Sequence, residues 1–327
     1  MNVVKANYEI LVPENALQHI ERCARVCYKS EDKIAPDGSS ATKMVRALVK
    51  NGHHAMLEHY SFIFQMSGAG MDTLMLLCAD ISLRTKYVCY LRFTNATRPL
   101  VSGNIRAWRD FFTACYRTYG YLPKCMEQFI QDNPVLFPEW YGADVFASWL
   151  LQPTFFRPVS VGELTDVTEK LVHKDMTILF TCDRGVSHEL VRHRPMSFAQ
   201  ESTRYCNYGG GVSFILPVWI EEPYEGELPS ADYSMWRKAC QQSEDNYKMA
   251  LATGWTPQQA RCFLHNSVKT EIVMTGNYAE WYHFFSLRAC DMAGKAHPQM
   301  HEVAIPALEE VQKQEPDIFG DLKAALC

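Results

Sequence analysis

The sequence predicts an α/β fold, and three observations lead there. Short apolar or aromatic runs with strand character alternate with longer segments of helical periodicity. With 47% hydrophobic and 21% charged residues, the chain of 327 residues has the balance of a packed globular protein rather than a disordered one. No low-complexity segment or obvious linker divides it. The longest apolar stretch, Met71 to Leu83, is broken by Asp72 and Asp80 and falls short of the roughly eighteen residues a membrane span needs. The opening MNVVKANYEI lacks the basic-then-apolar order of a secretory signal, so a cytoplasmic location is expected.

Taken in order, residues 14–28 carry apolar positions at helical spacing, as do 40–51, which stop at Gly52. The aromatic and β-branched run HYSFIFQMSG, ending at Gly68, reads as a strand. Helix-like aromatic patterns follow at 104–118 and 140–151, with the two-proline connector 133–138 between them. The run 176–182 is a short buried strand leading into DRGVSHELVRHR, where Val186, Leu190 and Val191 share a helical face. GGG at 209–211 marks a loop. Ser230 caps a long amphipathic helix over 230–253. Further helices are expected at 257–265, starting at Pro257, and at 277–293. SGNIRAWRDFF (102–112) and TGNYAEWYHFF (275–285) share Gly, Asn, Trp and Phe-Phe at identical spacing. Two helices that each follow a Gly-Asn turn account for this more simply than a duplication.

Charge and cysteine usage narrow the function. A net charge of −5 argues against a protein that coats nucleic acid, which needs a basic surplus. The twelve cysteines contain no CxxC pair and read as reduced, mostly buried thiols. Cys23 and Cys27 share a helical face but lack the other ligands of a zinc site. His54 and His59 are five apart, the wrong spacing for the zinc helix pair. His297 and His301 are four apart without a third ligand, which suggests a surface or interface role. No metal is expected.

The densest polar cluster is RHRPMSFAQESTRY, residues 192–205. Arg192 and Arg194 straddle His193 instead of pairing at helical spacing, and Pro195 interrupts any helix. A structured loop that presents several donors to one anion fits this pattern, because the guanidinium fork binds phosphate in bidentate fashion. A phosphorylated small molecule is the leading reading. A structural ion-pair network and a nucleic-acid contact stay open beside it.

The pattern RHR, seven residues, Ser, x, Arg, Tyr resembles the signature of the flavin-dependent thymidylate synthases, the ThyX family. LVKNGHHAMLEHYSFIF (48–64) resembles the family's upstream Gly-His and Glu-His block, and ARCFLHNSVKTEIVMTGNYAEWYHFFSLR (260–288) its downstream block, in family order. The resemblance implies a mixed, mainly antiparallel sheet flanked by helices, in a single domain over 1–327 with a mainly helical insertion at about 66–175. It implies methylation of dUMP to dTMP with 5,10-methylenetetrahydrofolate as carbon donor and NADPH-reduced FAD as hydride source, in a homotetramer without nucleic-acid or membrane partners. By family position, Arg288 lies at the uracil edge and Ser202 orients the substrate without forming a bond to it. His53 lies beside the flavin. The nucleotide is held by Glu189, Leu190, Val191, Arg192, Arg204 and Arg261, with the backbone of Gln200, Glu201 and Ser202 and with Thr203. FAD meets Ala55, Arg192, His193, Arg194, Gln200, Asn277 and His283. Departures from the common family pattern at Glu189, Ala199 and Gln200 leave room for a relative that modifies another pyrimidine nucleotide, by hydroxymethyl transfer for example. An arginine loop that only grips phosphate, in a non-enzymatic nucleotide or RNA binder, is the alternative from another class.

Overall fold

The computed structural model describes residues 1–82, 87, 90–95 and 98–325. The chain opens with β1 (Asn2–Val4), β2 (Asn7–Leu11), α1 (Ala16–Tyr28), α2 (Ser39–Lys50) and a 3-10 turn, His54–His59. β3 (Ser61–Met66) runs into α3 (Gly68–Ser82); β4 (Arg92–Thr94), β5 (Leu100–Asn104) and α4 (Ile105–Tyr119) follow. β6 (Leu122–Pro123), α5 (Glu127–Asp132), β7 (Phe146–Ala147) and β8 (Phe156–Pro158) lead to α6 (Val167–His173). Next come β9 (Asp175–Asp183), α7 (Arg184–Leu190), β10 (Ser197–Gln200), β11 (Ser213–Ile215), α8 (Ala231–Ala252) and α9 (Pro257–Ala260). β12 (Lys269–Asn277), α10 (Tyr278–Arg288), α11 (Pro298–Gln314) and α12 (Pro316–Phe319) complete the described chain.

Two four-stranded sheets carry the architecture, ordered β4-β5-β3-β8 and β10-β12-β9-β2. Every neighbouring pair in both is antiparallel; only the short pairs β1·β11 and β6·β7 are parallel. The fold is therefore mixed α/β with mainly antiparallel sheets flanked by helices. β9 and β12 pair along their full nine residues, from Lys269 opposite Asp183 to Asn277 opposite Asp175. Their central residues, Ile178 to Phe180 and Ile272 to Met274, are apolar on both faces, which fits strands covered by helices on both sides. One core joins the β3 sheet to α3 and α4, around the fully buried Trp108, Phe111 and Phe112. A second joins the β9 sheet to α10 and α11, around Trp281, Phe284 and Phe285. Truncating such an aromatic to alanine costs about 3–5 kcal/mol.

Helices at 14–28, 40–51, 104–118 and 230–253 and strands at 61–66 and 176–182 stand where the periodicity places them, and Ser230 caps α8 through the Tyr233 amide. Five expectations fail in whole or in part. Residues 140–151 form turns around β7, their aromatics packing without helical hydrogen bonds. The helix expected at 257–265 shrinks to α9 and a 3-10 turn, and the one at 277–293 ends at Arg288. Part of the loop expected at 192–205 is β10, drawn into the sheet by β12. His301 is buried and bonds the Asp291 carboxylate at 2.8 Å, which overturns a surface role for it, while His297 is exposed and caps α11.

The ten described cysteines are all free, six of them buried. Cys89 and Cys327, included in the reading of reduced thiols, lie outside the described residues, as does Leu83 at the end of the apolar stretch.

Candidate functional site

The arginine segment is positioned by the second sheet. Asp183, the last residue of β9, caps α7 by accepting from the Val186 amide at 2.7 Å. α7 lasts only two turns, and the chain then crosses from Val191 to Met196 and enters β10. On the opposite side, Asn277 ends β12 and caps α10, forming a capping box with Glu280. Arg288 is the last residue of α10, where the negative end of the helix dipole favours a cation. The sheet therefore delivers the 191–196 crossing and both ends of α10 to one place.

There Arg288 joins two other sequence-predicted residues. Its Nε donates to His193 Nε2 at 2.9 Å, and its Nη1 donates to Glu189 Oε2 at 2.9 Å. Burial first, then the Arg288 charge, push His193 down to about 4. The imidazole is thus neutral near pH 7, and because Nε2 accepts from Arg288, its proton sits on Nδ1. Glu189 answers the Arg288 charge and does not repel a substrate phosphate from an unpaired position. Among the described residues, Nη2 of Arg288 has no partner, which leaves a donor edge for a ligand.

His193, Arg194, Pro195, Met196, Asn277 and His283 line one open cleft of about 270 Å³ together with Ala279 and Glu280. Four of the seven residues assigned to FAD, namely His193, Arg194, Asn277 and His283, are brought together there. Asn277 serves structurally: its Oδ1 accepts from the Glu280 amide and its Nδ2 donates to the Val172 carbonyl. The other three do not line the cleft. Arg192 is exposed beside it, Ala55 lies on the 54–59 turn, and Gln200 donates to Ser187 Oγ and Thr270 Oγ1 at the far end of β10. His53 is exposed at the start of the same turn and does not line the cleft either. The cleft opens into a second cavity that shares Pro195, Asn277 and Glu280 and adds Glu58, Arg92, Asp175 and Ser197.

A second constellation forms about four strand residues away, at the far end of β10. Arg204 Nε donates to Gln258 Oε1 at 3.2 Å, and Arg261 Nη1 donates to Thr203 Oγ1 at 3.4 Å. Ser202 Oγ accepts from the Arg204 amide at 3.3 Å, and among the described residues no imidazole or carboxylate touches it. That serine lacks the adjacent base an attacking hydroxyl needs. The expected backbone cradle at 200–202 fails for two of its amides: Glu201 N donates to the Glu271 carbonyl and Ser202 N to that of Cys27. The Glu201 side chain is buried with Lys269, Lys29 and Tyr208, and Leu190 is core. Val191 is exposed at the C-terminus of α7.

None of Arg192, Arg194, Arg204 and Arg261 pairs with a carboxylate among the described residues. A structural ion-pair network would have neutralised them. Sequence reasoning missed Glu58, Ser197 and Glu280. For Glu280 the Asn-x-x-Glu capping box was a legible signal, whereas the contact of Glu58 with Ser197 Oγ at 3.0 Å spans 139 residues.

A flavin-dependent thymidylate synthase of Pyrococcus abyssi is 36% identical over 137 residues, 41% of this chain and 52% of the relative. One of Corynebacterium efficiens is 32% identical over 165 residues, 48% of this chain and 65% of the relative. The chain thus spans about half the length of the curated relatives it matches. A UMP/dUMP methylase, PolB, from Streptomyces cacaoi, solved with 5-Br dUMP, aligns over 97% of this chain and 93% of its own, at 16% identity and a TM-score of 0.38. The family model described as thymidylate synthase complementing protein, Thy1, matches residues 10–75 and 166–317, two thirds of the sequence, and the chain belongs to that family.

Proposed function

We propose that this chain is an FAD-dependent thymidylate synthase that methylates dUMP to dTMP with 5,10-methylenetetrahydrofolate as carbon donor and NADPH as reductant. The observation that carries the reading is the pair of arginine constellations joined by β10, all but Arg288 free of carboxylate partners. A pyrimidine monophosphate is bipolar in the same sense, with a dianionic phosphate at one end and a ring that must gain electron density at C5 at the other.

Arg204 and Arg261 hold the phosphate, each fixed by a neutral partner that orients the guanidinium and leaves its charge intact. Arg288 presents its Nη2 edge to the uracil and favours ionisation at N3, because a fixed cation lowers the pKa of a neighbouring acid. Ser202 orients the substrate and forms no bond to it. His193 stays neutral and holds the Arg288 fork in place. The cleft suits a flat, anionic ring: Arg194 supplies an exposed cation, His283 an exposed imidazole, and Pro195 and Met196 an apolar surface. His193, Arg194 and His283 would hold the flavin, which, reduced by NADPH, would supply the hydride. His53 serves the folate and NADPH side of the flavin. The working assembly is a cytoplasmic homotetramer.

The test is spectroscopic and chemical. Purified protein should show flavin absorbance that NADPH bleaches, at a rate dUMP changes, and should release label from C5 of tritiated dUMP while forming dTMP. Protein that remains colourless after reconstitution with FAD overturns the proposal. A product mass of a hydroxymethyl nucleotide would reassign the one-carbon step.

A further inference from the structure

The two sheets are built the same way. In each, an inner strand (β3 or β9) runs into a helix (α3 or α7), and the chain returns on an edge strand (β4 or β10). A second inner strand comes next in the sheet (β5, or β12 after the intervening β11, α8 and α9) and ends in Gly-Asn, and that Asn caps an aromatic helix (α4 or α10). Gly103-Asn104 and Gly276-Asn277 are therefore strand ends, not turns. The registers coincide: Ser61 faces Asn104 as Asp175 faces Asn277, and Arg92 faces Ser102 as Ser197 faces Thr275.

The fourth strands are exchanged. β2 precedes β3 in the chain but pairs with β9, whereas β8 precedes β9 but pairs with β3. Two buried histidines repeat the exchange. His59, two residues before β3, places Nδ1 2.8 Å from Thr275 Oγ1 of β12. His173, two residues before β9, places Nδ1 2.7 Å from Ser102 Oγ of β5, and Ser102 and Thr275 are equivalent positions. Unrelated packing does not generate reciprocal contacts of this kind; an approximate twofold axis does.

The halves differ at the chemistry. Cys115, fully buried, stands where Arg288 stands, and Asp110 where His283 stands. Arg106, at the position of Ala279, lies 3.4 Å from the centre of the Tyr87 ring and pairs with Glu58 at 2.6 Å. At the Ala279 position the first half thus carries a paired arginine, and Asp110 lines a cavity with His54, Arg109 and Glu139, none of them a counterpart of His193 or Arg194. The family model likewise leaves 76–165 unmatched.

We propose that residues 54–119 and 167–288 are two copies of one unit fused in a single chain, and that only the second binds ligand. The first is its in-chain partner, and His59 is a positioning residue that holds the cleft-bearing strand β12 from across the axis. The single-site part rests on the flavin reading above; the reciprocal contacts do not. Amide hydrogen exchange on the full chain tests the latter. His59→Gln should lose about tenfold or more protection over 269–277, and His173→Gln over 100–104, each in the opposite half. Should a histidine variant fail to fold, Thr275→Val and Ser102→Ala remove the same bonds from the other side, and the loss of protection should then appear around His59 and around His173, again in the opposite half. Loss confined to the half that carries the change, or no loss, overturns the proposal. Fluorescence titration with FAD should saturate at one equivalent per chain, about fivefold or more weaker in His59→Gln and unchanged in His173→Gln. Two equivalents per chain, or equal weakening in both variants, also overturns it. A chain that binds no FAD sinks the flavin reading, and hydrogen exchange then decides the fused-copy proposal by itself.

Discussion

Replacing Arg288 by alanine separates its two roles. The guanidinium makes two hydrogen bonds, to His193 and Glu189, and offers Nη2 to a ligand. His193 sits at about 4 against an ordinary 6.5, and burial is the larger cause, so the Arg288 charge accounts for less than half of that drop. Its removal should raise the His193 pKa, while burial still holds it below the ordinary imidazole range. The ring then remains neutral at pH 7, so altered histidine protonation cannot explain any loss of activity there. What is lost is the cation at the uracil edge, and removing one such preorganised donor costs about 10²–10³ in turnover. FAD affinity should hold within about twofold, since the flavin cleft is lined by other residues. Nuclear magnetic resonance titration of the imidazole reads the first effect, and tritium release from C5 of dUMP with a flavin titration reads the others. Near-normal turnover in Arg288→Ala, or a His193 titration that does not move, refutes the assignment.

Arg194→Ala should weaken FAD binding about tenfold, a change of about 1.4 kcal/mol, measured by flavin fluorescence. Arg204→Ala and Arg261→Ala should each raise KM for dUMP tenfold or more with little change in kcat, and the difference from wild type should shrink as salt is raised. Ser202→Ala should keep turnover within about tenfold of wild type, in a tritium-release assay where an obligatory nucleophile would show none. His19, His59, His173 and His193 are buried and held below 6.5, at about 4, 3, 4 and 4. The unfolded chain takes up protons there before the folded chain does, so stability should fall as pH drops from about 6.5 toward 4, at up to about 1.4 kcal/mol per pH unit per histidine. Urea midpoints across that range check the slope.

The sequence was most readable where local chemistry decides structure. The α8 cap at Ser230, the amphipathic α1 and α2, and the buried run of β9 follow from periodicity alone. β12 was hidden because KTEIVMTGN mixes charged and apolar residues, and its strand state comes from two partners distant in the chain, β9 and β10. α11 was hidden by Pro306 within it, which local rules count against a helix. At the site, the arginines and His193 were legible as residue types in a dense segment. The Arg288–His193 bond was not, since it closes a separation of 95 residues. Glu58 was similarly invisible as a wall of the cleft, because only tertiary packing brings the 54–59 turn against β10.

The charge arrangement gives the clearest link between fold and function. The chain carries 37 acidic and 32 basic residues, so carboxylates are in excess and ion pairing is the easy fate of an arginine. Arg92, Arg98 and Arg109, which hold elements together, take that course with Asp175, Glu169 and Glu139. Arg204 and Arg261 are instead fixed by the amide of Gln258 and the hydroxyl of Thr203. A neutral partner restrains the fork without cancelling its field, so less side-chain entropy is lost when an anion arrives and no ion pair has to be broken first. Exposure alone would satisfy an arginine with water; two neutral clamps on these arginines, joined by one strand to the Arg288–His193 pair, are the arrangement that the proposed anion site requires.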